Sequence, residues 1–377
     1  MKICPFNQYC GACQYQGTDY RKQLEIKQKH VEDLLGGFHR VEPIIGMTDP
    51  DHYRNKMQIS FTYDEHRNMI SGYYIPSSHM ILPISECMLC DEDINRIYSS
   101  VKKILLKYRI SVYDERSMKG CIRHLLIRST NLNEYMVVLV TGSMYMNNAE
   151  NIAKDIVRFN PEVKTIIQNI NSRRTSAILG NRNNVLYGKG YITDELCGLK
   201  FKISANSFYQ VNKRQTEILY QKAIELADLK KSDVLIDAYC GTGTIGLSSS
   251  KKVKKVIGVE LNQSAIKDAI NNAKINKIDN IEFICDDAGR YMDRLSKNNT
   301  HIDVVIMDPP RSGSDIKFMS SMVKMNPERI VYISCNPVTL RNDLNYLKKF
   351  YKIKTIQPVD MFPYTQHVET ICCLYRQ

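Results

Sequence analysis

The chain of 377 residues lacks the sequence features of a secreted or membrane-spanning protein. No apolar run approaches the roughly 18 to 20 residues that a membrane-spanning helix needs. The N-terminus, MKICPFNQYCGACQYQ, has no apolar core of the kind found in signal peptides. No repeat or low-complexity linker is found in the first half. We therefore expect a cytoplasmic protein of two or three domains.

Cysteine and positive charge, by contrast, are abundant. Twelve cysteines in a reducing compartment indicate metal, cluster or catalytic use rather than disulfides. A formal net charge of +12 and a pI of about 9.0 favour a polyanionic partner. With 23 tyrosines present, a basic run ahead of the second half favours nucleic acid over a membrane surface. The run comprises Arg96, Lys102, Lys103, Lys107, Arg109, Arg116, Lys119, Arg123 and Arg128.

Three cysteines lie within the first 13 residues, where Gly11 lets the backbone curl so that their sulfurs converge. They are Cys4, Cys10 and Cys13, spaced C-x5-C-x2-C. A fourth ligand is available from Cys87 or Cys90 in ILPISECMLCDED. Four cysteines hold either a structural zinc ion or a 4Fe-4S cluster. The spacing alone leaves zinc, cluster and no metal open.

The first half reads as a mixed α+β region. An amphipathic helix is predicted over Thr18 to Gly36, with an apolar face formed by Tyr20, Leu24, Val31, Leu34 and Leu35. A hairpin is predicted from Met57 to Ile75. Further strands follow at Cys121 to Arg128, Tyr135 to Thr141 and Val163 to Asn169, with a helix near Asn148 to Phe159. The predicted segments are 1–17 for the cysteine motif, 18–38 for the helix and 39–200 for a central domain.

From about residue 200 strands and helices alternate, which is typical of a doubly wound parallel sheet. The predicted strands are 234–237, 255–260, 281–284, 304–307, 330–334, 351–358 and 369–375. The predicted helices are 243–250, 263–276, 288–296, 316–324 and 337–349. Seven strands in this alternation predict a Rossmann-like methyltransferase sheet for the domain 201–377.

A glycine loop, VLIDAYCGTGTIGL, follows the first of these strands. Gly241 and Gly243 let the backbone pass close to a ligand, and no Lys-Ser/Thr follows them, so the loop is not a P-loop. The next strand ends in Glu260, a carboxylate suited to ribose hydroxyls. The pair of loop and acid predicts a nucleoside cofactor, with a dinucleotide as the alternative.

Two further motifs lie near predicted strand or helix ends. DPPRSG puts the Asp308 carboxylate and an arginine at the same sheet edge, unless it is only a surface turn. ANSFYQVN offers Phe208 and Tyr209 as stacking faces and Gln210 as an amide reader, although packing explains it equally well.

A single cysteine, Cys335, is placed where an apolar strand ends and a helix with Pro337 in its first turn begins. Ligands bind at this edge of open α/β sheets, and a helix N-terminus helps to stabilise a thiolate. Glu369 begins the closing strand, where desolvation raises a carboxylate pKa enough to make a base.

Together these motifs resemble the RNA uracil-C5 methyltransferase family. They are Cys4-x5-Cys10-x2-Cys13, YRNK at Tyr53 to Lys56, SFYQVN, DAYCGTGT, DPPRSG, SCNPVTLRND and the terminal HVE. The resemblance implies Cys335 as nucleophile and Glu369 as base. The target base has to leave its stack to reach Cys335, and Phe208 is the candidate for stacking on it. The resemblance implies S-adenosylmethionine near Gln210, Tyr239, Glu260 and Asp308. It also implies a 4Fe-4S cluster on Cys4, Cys10, Cys13 and Cys87, a set that includes Cys87 rather than Cys90.

The resemblance also bears on the substrate. Many relatives carry an RNA-binding barrel before the cysteines, whereas this chain begins almost at them, so RNA choice is expected to rest on the basic region Arg96 to Arg128. Transfer-RNA enzymes of the family usually lack the cluster, which favours 23S ribosomal RNA. A monomeric enzyme is expected. The alternatives are a tRNA uridine-C5 methyltransferase and a non-catalytic RNA-binding assembly factor. A radical S-adenosylmethionine enzyme is disfavoured because it would need the spacing C-x3-C-x2-C, whereas the spacing here is C-x5-C-x2-C. An amino-group methyltransferase is disfavoured because it would give Cys335 no role.

Overall fold

The computed structural model describes residues 3–377, so the first two residues of the predicted segment 1–17 lie outside the described part. The helices are α1 Asn7–Cys10, α2 Tyr20–Leu35, α3 Glu92–Lys107, α4 Ala149–Phe159, α5 Lys213–Leu226, α6 Thr244–Ser249, α7 Gln263–Ile275, α8 Ala288–Lys297, α9 Ile316–Met325 and α10 Pro337–Leu347. The strands are β1 Lys56–Tyr63, β2 Met69–Tyr74, β3 Ile81–Pro83, β4 Ile122–Ser129, β5 Tyr135–Thr141, β6 Val163–Ile170, β7 Arg182–Gly188, β8 Tyr191–Leu196, β9 Leu199–Ser204, β10 Val234–Ala238, β11 Lys255–Glu260, β12 Ile281–Cys285, β13 Val304–Met307, β14 Arg329–Ser334, β15 Tyr351–Val359 and β16 Glu369–Arg376.

The chain divides into two compact units. The first comprises Met1–Gly17, Asp51–Glu195 and Lys202–Asn206, and the second Thr18–Pro50, Leu196–Phe201 and Ser207–Gln377. In this division α2 belongs with the second unit, and β8 and β9 form a two-stranded sheet where the chain passes from one unit to the other. No helix between residues 3 and 377 combines the length and apolar character that crossing a membrane requires.

The first unit is built on a seven-stranded sheet in the order β3-β2-β1-β4-β5-β6-β7. All its pairs are antiparallel except β5 with β6, which α4 connects. Alternate residues such as Met57 and Ile59 of β1 and Leu125 and Ile127 of β4 share one core with the apolar faces of α3 and α4. The predicted hairpin is confirmed as β1 and β2.

The second unit holds the predicted methyltransferase sheet, in the order β12-β11-β10-β13-β14-β16-β15. Five strands are parallel and β16 is antiparallel to both of its neighbours. Each strand lies within one residue of its predicted bounds, because these buried strands are short apolar runs closed by polar turns. The fold class of a seven-stranded α/β methyltransferase sheet is confirmed.

The predicted apolar face of α2 is wrong in part. The buried residues are Gln23, Lys27, Val31 and Leu35, and Lys27 is only 1% exposed. Its ammonium donates to the Asp360 carboxylate at 2.6 Å, and the Gln23 side-chain oxygen accepts from a backbone N–H after β15. Polar groups therefore occupy part of the buried stripe because they meet partners more than 300 residues away.

The sequence interpretation assigned no element to residues 92–107, where the structure has the four-turn helix α3. The Asp91 side chain caps its first turn by accepting from the N–H of Asp93. Its buried residues recur at helical spacing as Ile94, Ile97, Tyr98, Val101, Ile104 and Leu105.

Candidate functional site

Cys335 lies in a two-residue turn between β14 and α10, as predicted. The Ser334 hydroxyl accepts from the N–H of Asn336 at 3.2 Å, which closes the turn around the cysteine. The Asn336 side chain then caps α10 by accepting from the N–H of Val338 at 3.1 Å, and Pro337 fills the first helical position. The thiol is therefore carried by a turn that is fixed on both sides.

Glu369 faces Cys335 across the sheet. In the antiparallel pair of β14 and β16, Ser334 lies opposite Thr370, so one further step of the register sets Cys335 against Glu369. Glu369 is buried, and this burial together with the charge of Asp308 raises its carboxyl pKa well above the ordinary value. The strand register thus brings the predicted nucleophile and the predicted base together.

Asp308 joins them at the carboxyl edge of the sheet. It directly follows β13, which pairs with β10 on one side and β14 on the other, and its N–H donates to the carbonyl of Ala238 at 3.4 Å. Burial raises the pKa of its carboxyl to about 7. The Asp308 and Glu369 carboxyls also raise each other's tendency to hold a proton, because like charges cannot both remain ionised at close range.

The pKa of the Cys335 thiol is raised to about 11 by burial, then by Glu369 and Asp308, while Arg311 opposes them. This is opposite to the direction expected from a helix N-terminus alone. In the free site burial, followed by the two carboxylates, outweighs the helix, so the sulfur keeps its proton at neutral pH.

The glycine loop lies between β10 and α6 at the same edge. Tyr239 adopts a left-handed conformation with φ of 63°, and its hydroxyl lies 3.2 Å from that of Ser314. The N–H of Gly241 donates to the Glu260 carboxylate at 3.2 Å. A side chain at Gly243, where φ is 80°, would collide with the Phe283 ring, so this turn requires glycine. Tyr239 and Glu260 thus flank the loop that was predicted to bind a nucleoside.

Gln210 reaches this site through Tyr220 of α5. The Gln210 side chain hydrogen-bonds to the buried Tyr220 hydroxyl. The charge of Asp308 contributes to raising the pKa of that hydroxyl, after burial. Phe208, two residues earlier, is 67% exposed, whereas its neighbour Tyr209 is buried. Exposure removes the packing alternative for Phe208 and leaves its ring free to stack.

Three polar residues near this edge were not identified from the sequence as site residues. Asp237 is buried; one oxygen accepts from the N–H of Gly246 at 2.7 Å and the other has no partner among the described residues. Its burial raises its carboxyl pKa to about 7. The Asp343 carboxylate accepts from the Tyr332 hydroxyl and from the N–H of Ser314, the partner of Tyr239. Tyr220 is the third. The positions of these three residues in the sequence do not indicate that they lie near the site, because their contacts with the site residues depend on the order of the strands in the sheet.

The N-terminal cysteines line one pocket in the first unit, with Cys4, Cys10, Cys13 and Cys87 on its wall among apolar side chains. Gly11, with φ of 65°, ends α1 and turns the chain back between the second and third cysteines. Cys90 is fully buried, and its sulfur faces the carbonyl of Lys56 at 3.9 Å. No three metal-binding side chains in residues 3–377 are gathered closely enough to hold an ion as they stand. Thiol donors in a mostly apolar pocket fit a metal cluster chemically.

The predicted basic region from Arg96 to Arg128 is not one basic surface. Arg123 and Arg128 are buried strand residues. Arg96 pairs with Asp93 and Glu162, Lys107 with Asp155, and Arg123 with Glu115. The expectation that RNA contacts rest on this stretch as a whole is therefore wrong for Arg123 and Arg128, which are buried, and three of its nine charges are paired within the unit.

Comparison with known proteins agrees with the site. A sequence model of the tRNA (uracil-5-)-methyltransferase family matches residues 19–377. An uncharacterized RNA methyltransferase of Oceanobacillus iheyensis is 42% identical over 371 residues, 96% of this chain and 81% of that protein. One of Clostridium tetani is 42% identical over 374 residues, 98% and 81% of the two chains.

Among solved structures, the tRNA (uracil-54, C5)-methyltransferase of Pyrococcus abyssi, in complex with S-adenosyl-L-homocysteine, is similar with a TM-score of 0.78. It is 28% identical, and the match covers 94% of this chain and 83% of that one. The family match extends over nearly the whole chain and includes every residue of the Cys335 site. The chain therefore belongs to the tRNA (uracil-5-)-methyltransferase family and is an S-adenosylmethionine-dependent RNA uracil-C5 methyltransferase.

Proposed function

We propose that this enzyme methylates carbon 5 of a uridine in 23S ribosomal RNA through a covalent adduct between Cys335 and carbon 6 of the base. The observation that carries the mechanism is the placing of Cys335 opposite Glu369, with Asp308 at the same sheet edge. A nucleophile, a base and a second acidic group within interaction range are what this chemistry requires.

The thiol proton is the first one to move. Cys335 holds it in the free site, and an ionised carboxylate of the Asp308 and Glu369 pair accepts it as the sulfur bonds to carbon 6. Addition pushes electron density onto carbon 5, which then attacks the transferable methyl group. S-adenosylmethionine, when bound, supplies that methyl group as an electrophile. Splitting the reaction in this way makes a poor nucleophile, carbon 5, reactive.

Glu369 completes the reaction. Its carboxylate removes the proton from the methylated carbon 5, the electron pair re-forms the ring double bond, and the bond between carbon 6 and the Cys335 sulfur breaks. Burial makes Glu369 a stronger base than an exposed carboxylate, because it raises the pKa of the group. The departing Cys335 sulfur takes back one proton from the carboxylate pair, and the second proton, which the net reaction releases, leaves to solvent.

The cofactor is proposed to lie along Gln210, Tyr239, Glu260 and Asp308. Tyr239, Glu260 and Asp308 lie at the carboxyl ends of β10, β11 and β13, where open α/β sheets bind ligands. Gln210 precedes α5 and is linked to this edge through Tyr220. Glu260 is already oriented by the N–H groups of Gly241 and Asn262, which leaves its carboxylate fixed for ribose hydroxyls. Phe208 is proposed to stack on the target uracil once it leaves its helix.

A 4Fe-4S cluster on Cys4, Cys10, Cys13 and Cys87 is also proposed. Support comes from the shared pocket, whose wall includes Cys87 but not Cys90. The reaction contains no electron transfer, so the cluster is assigned a role in structure or RNA holding. Iron and sulfide analysis should find the cluster in the wild type and in Cys90→Ala but not in Cys87→Ala.

The experiment that tests the function is tritium release from RNA labelled at uridine carbon 5, with 23S and transfer-RNA transcripts compared. Release from 23S RNA alone, absent in Cys335→Ala, is the expected result. Release from transfer RNA would instead support the second candidate, which the likeness to the Pyrococcus abyssi enzyme favours. No release from either transcript, with cofactor binding intact, would support the assembly-factor alternative.

A further inference from the structure

Three loops emerge side by side at one end of the sheet of the first unit. Ile122, Thr141, Ile170 and Arg182 pair in one row across β4, β5, β6 and β7. Two of these strands begin at the row and two end there. The loops are residues 114–120, 142–147 and 171–181, and their outer face, together with Arg182 at the start of β7, is called the Tyr145 surface below.

Buried Arg123 fixes these loops to one another. It is 3% exposed, and its guanidinium donates to the carbonyl of Arg173 at 2.9 Å and pairs with Glu115 at 2.5 Å. Arg174 donates to the carbonyl of Arg116 at 3.1 Å, which ties the first loop to the third. The Tyr145 surface is therefore a built feature of the fold, and Arg123 supports it from beneath rather than contacting a partner.

The surface carries an excess of exposed positive charge. Its cations are Arg116, Lys119, Arg173, Arg174 and Arg182. None of the five forms an ion pair with a carboxylate of residues 3–377. The only acidic residues in the three loops are Asp114 and Glu115. The Asp114 carboxylate accepts from backbone N–H groups of its own loop, and Glu115 forms an ion pair with Arg123. Such a field attracts a polyanion.

An aromatic ring stands among these cations. Tyr145 is 77% exposed, the largest exposure of any large apolar or aromatic side chain in the described chain. The Ser143 hydroxyl donates to the Tyr145 carbonyl at 2.6 Å, and Thr141 donates to the carbonyl of Ser143, so the turn that presents the ring is fixed. Arg182 lies against the neighbouring Met144, 3.4 Å from its sulfur. A fixed, exposed ring beside guanidinium groups suits stacking with a nucleobase.

We propose that the Tyr145 surface binds an unpaired segment of the RNA substrate, with one base stacked on Tyr145 and the flanking phosphates held by the five cations. The inference rests on the proposed function for the nature of the partner. Unpaired RNA is specified because a duplex keeps its base faces covered, whereas a splayed loop offers them to an aromatic ring. The surface would supply substrate contacts in place of the whole basic region Arg96 to Arg128, from which it includes only Arg116 and Lys119.

The test is fluorescence anisotropy with a labelled RNA stem-loop and with the same stem as a closed duplex. Tyr145→Ala should weaken binding of the stem-loop by about 5- to 100-fold and leave the duplex unaffected. Replacing two cations together, Arg173→Gln with Lys119→Gln, should lower the steepness of the salt dependence by about 1 to 2 in the log–log plot. In turnover assays KM for RNA should rise in Tyr145→Ala while kcat at saturation is retained.

Matched controls exist in the same unit. Phe159→Ala removes another exposed aromatic ring and Lys103→Gln another exposed cation, and both lie outside the three loops, so both should bind as the wild type does. Unchanged stem-loop binding in Tyr145→Ala would overturn the inference and point to a protein partner for this surface. If RNA binding depends on Tyr145 but no tritium is released by the wild type, the proposed function fails and the inference stands.

Discussion

Cys335 in the second unit and Cys87 in the first are two half-buried thiols whose surroundings act in opposite directions. Burial and the carboxylates of Glu369 and Asp308 raise the pKa of Cys335 to about 11. Hydrogen bonding from Cys90, against the effect of burial, lowers the pKa of Cys87 to about 6, with backbone N–H groups and Tyr73 contributing. The same functional group is thus kept protonated in one unit and favoured as an anion in the other.

The difference follows from the nearest polar groups rather than from burial, which raises both values. A thiol surrounded by hydrogen-bond donors favours the thiolate, which is the form that binds a metal and the form that the proposed cluster would need. A thiol that is buried beside carboxylates keeps its proton in the free site. The two cysteines are therefore suited to different work.

Exchanging each cysteine for alanine gives the largest expected effects and separates the two roles. Cys335→Ala should lower methyl transfer by at least about 10³-fold, because no covalent route remains, and leave the iron content unchanged. Cys87→Ala should lose the iron. Tritium release measures methyl transfer and iron analysis measures cluster content in both variants. Loss of iron in Cys335→Ala would contradict the separation of the two roles.

Glu369→Gln should stop the reaction after methyl transfer. Because the amide cannot take the proton from carbon 5, turnover should fall by about 10² to 10⁴-fold and the RNA adduct on Cys335 should accumulate. Denaturing gel electrophoresis with labelled RNA detects it as a slower protein band. The double variant Glu369→Gln with Cys335→Ala is the control and should give none; an adduct there would place the nucleophile elsewhere.

Lys27→Met tests how the Glu369 side of the site is held. Lys27 pairs with Asp360 in a buried salt bridge, and the Tyr20 hydroxyl also donates to that carboxylate. Asp360 is the first residue of the segment that connects β15 to β16. Leaving Asp360 unpaired should lower the free energy of unfolding by about 3 to 5 kcal/mol. Lys29→Met on the same helix removes only an exposed pair and should cost at most about 0.5 kcal/mol.

Urea unfolding followed by circular dichroism makes this measurement for both lysine variants. Iron content should be retained in the Lys27→Met protein at low urea, since the cysteine pocket belongs to the other unit. Equal destabilisation by the two substitutions would show that the buried bridge contributes no more than a surface pair.

The smallest expected effect concerns the reactivity of Cys335 in the free enzyme. Its pKa of about 11 means that alkylation by iodoacetamide should rise roughly tenfold per pH unit between pH 7 and 9. Removing a negative neighbour stabilises the thiolate, so Glu369→Gln should lower the pKa and speed alkylation at pH 9 by about tenfold. Peptide mass spectrometry follows Cys335, with exposed Cys285 as the reference that should not change.

The strand and turn positions of the second unit were predictable because local signals agreed. Most of the strands are short apolar runs, and the turns that follow the parallel strands contain Gly, Pro, Asp or Asn. The chemistry-bearing residues lie just after those runs, so parallel strands were expected to bring Asp308 and Cys335 to one edge. That placement is confirmed, while the roles of these residues remain predictions.

Charge was the misleading signal. The run of arginines and lysines was interpreted as an RNA-binding surface. The same stretch contains helix α3, whose apolar residues recur at helical spacing. Arg123 and Arg128 were counted with the exposed cations although they lie within the apolar strand β4. A cation inside an apolar strand pattern is better interpreted as a buried residue with a partner.

The sequence by itself determined the strands of the methyltransferase sheet and the family, because periodicity, turn residues and short motifs are local properties of the chain. Only the tertiary structure decided which partners those elements meet. The register of β14 and β16 sets Cys335 against Glu369, Lys27 finds Asp360, and three loops combine into the Tyr145 surface. These contacts join residues tens to hundreds of positions apart, and pKa values follow from them, since desolvation and neighbouring charge exist only once the chain has packed.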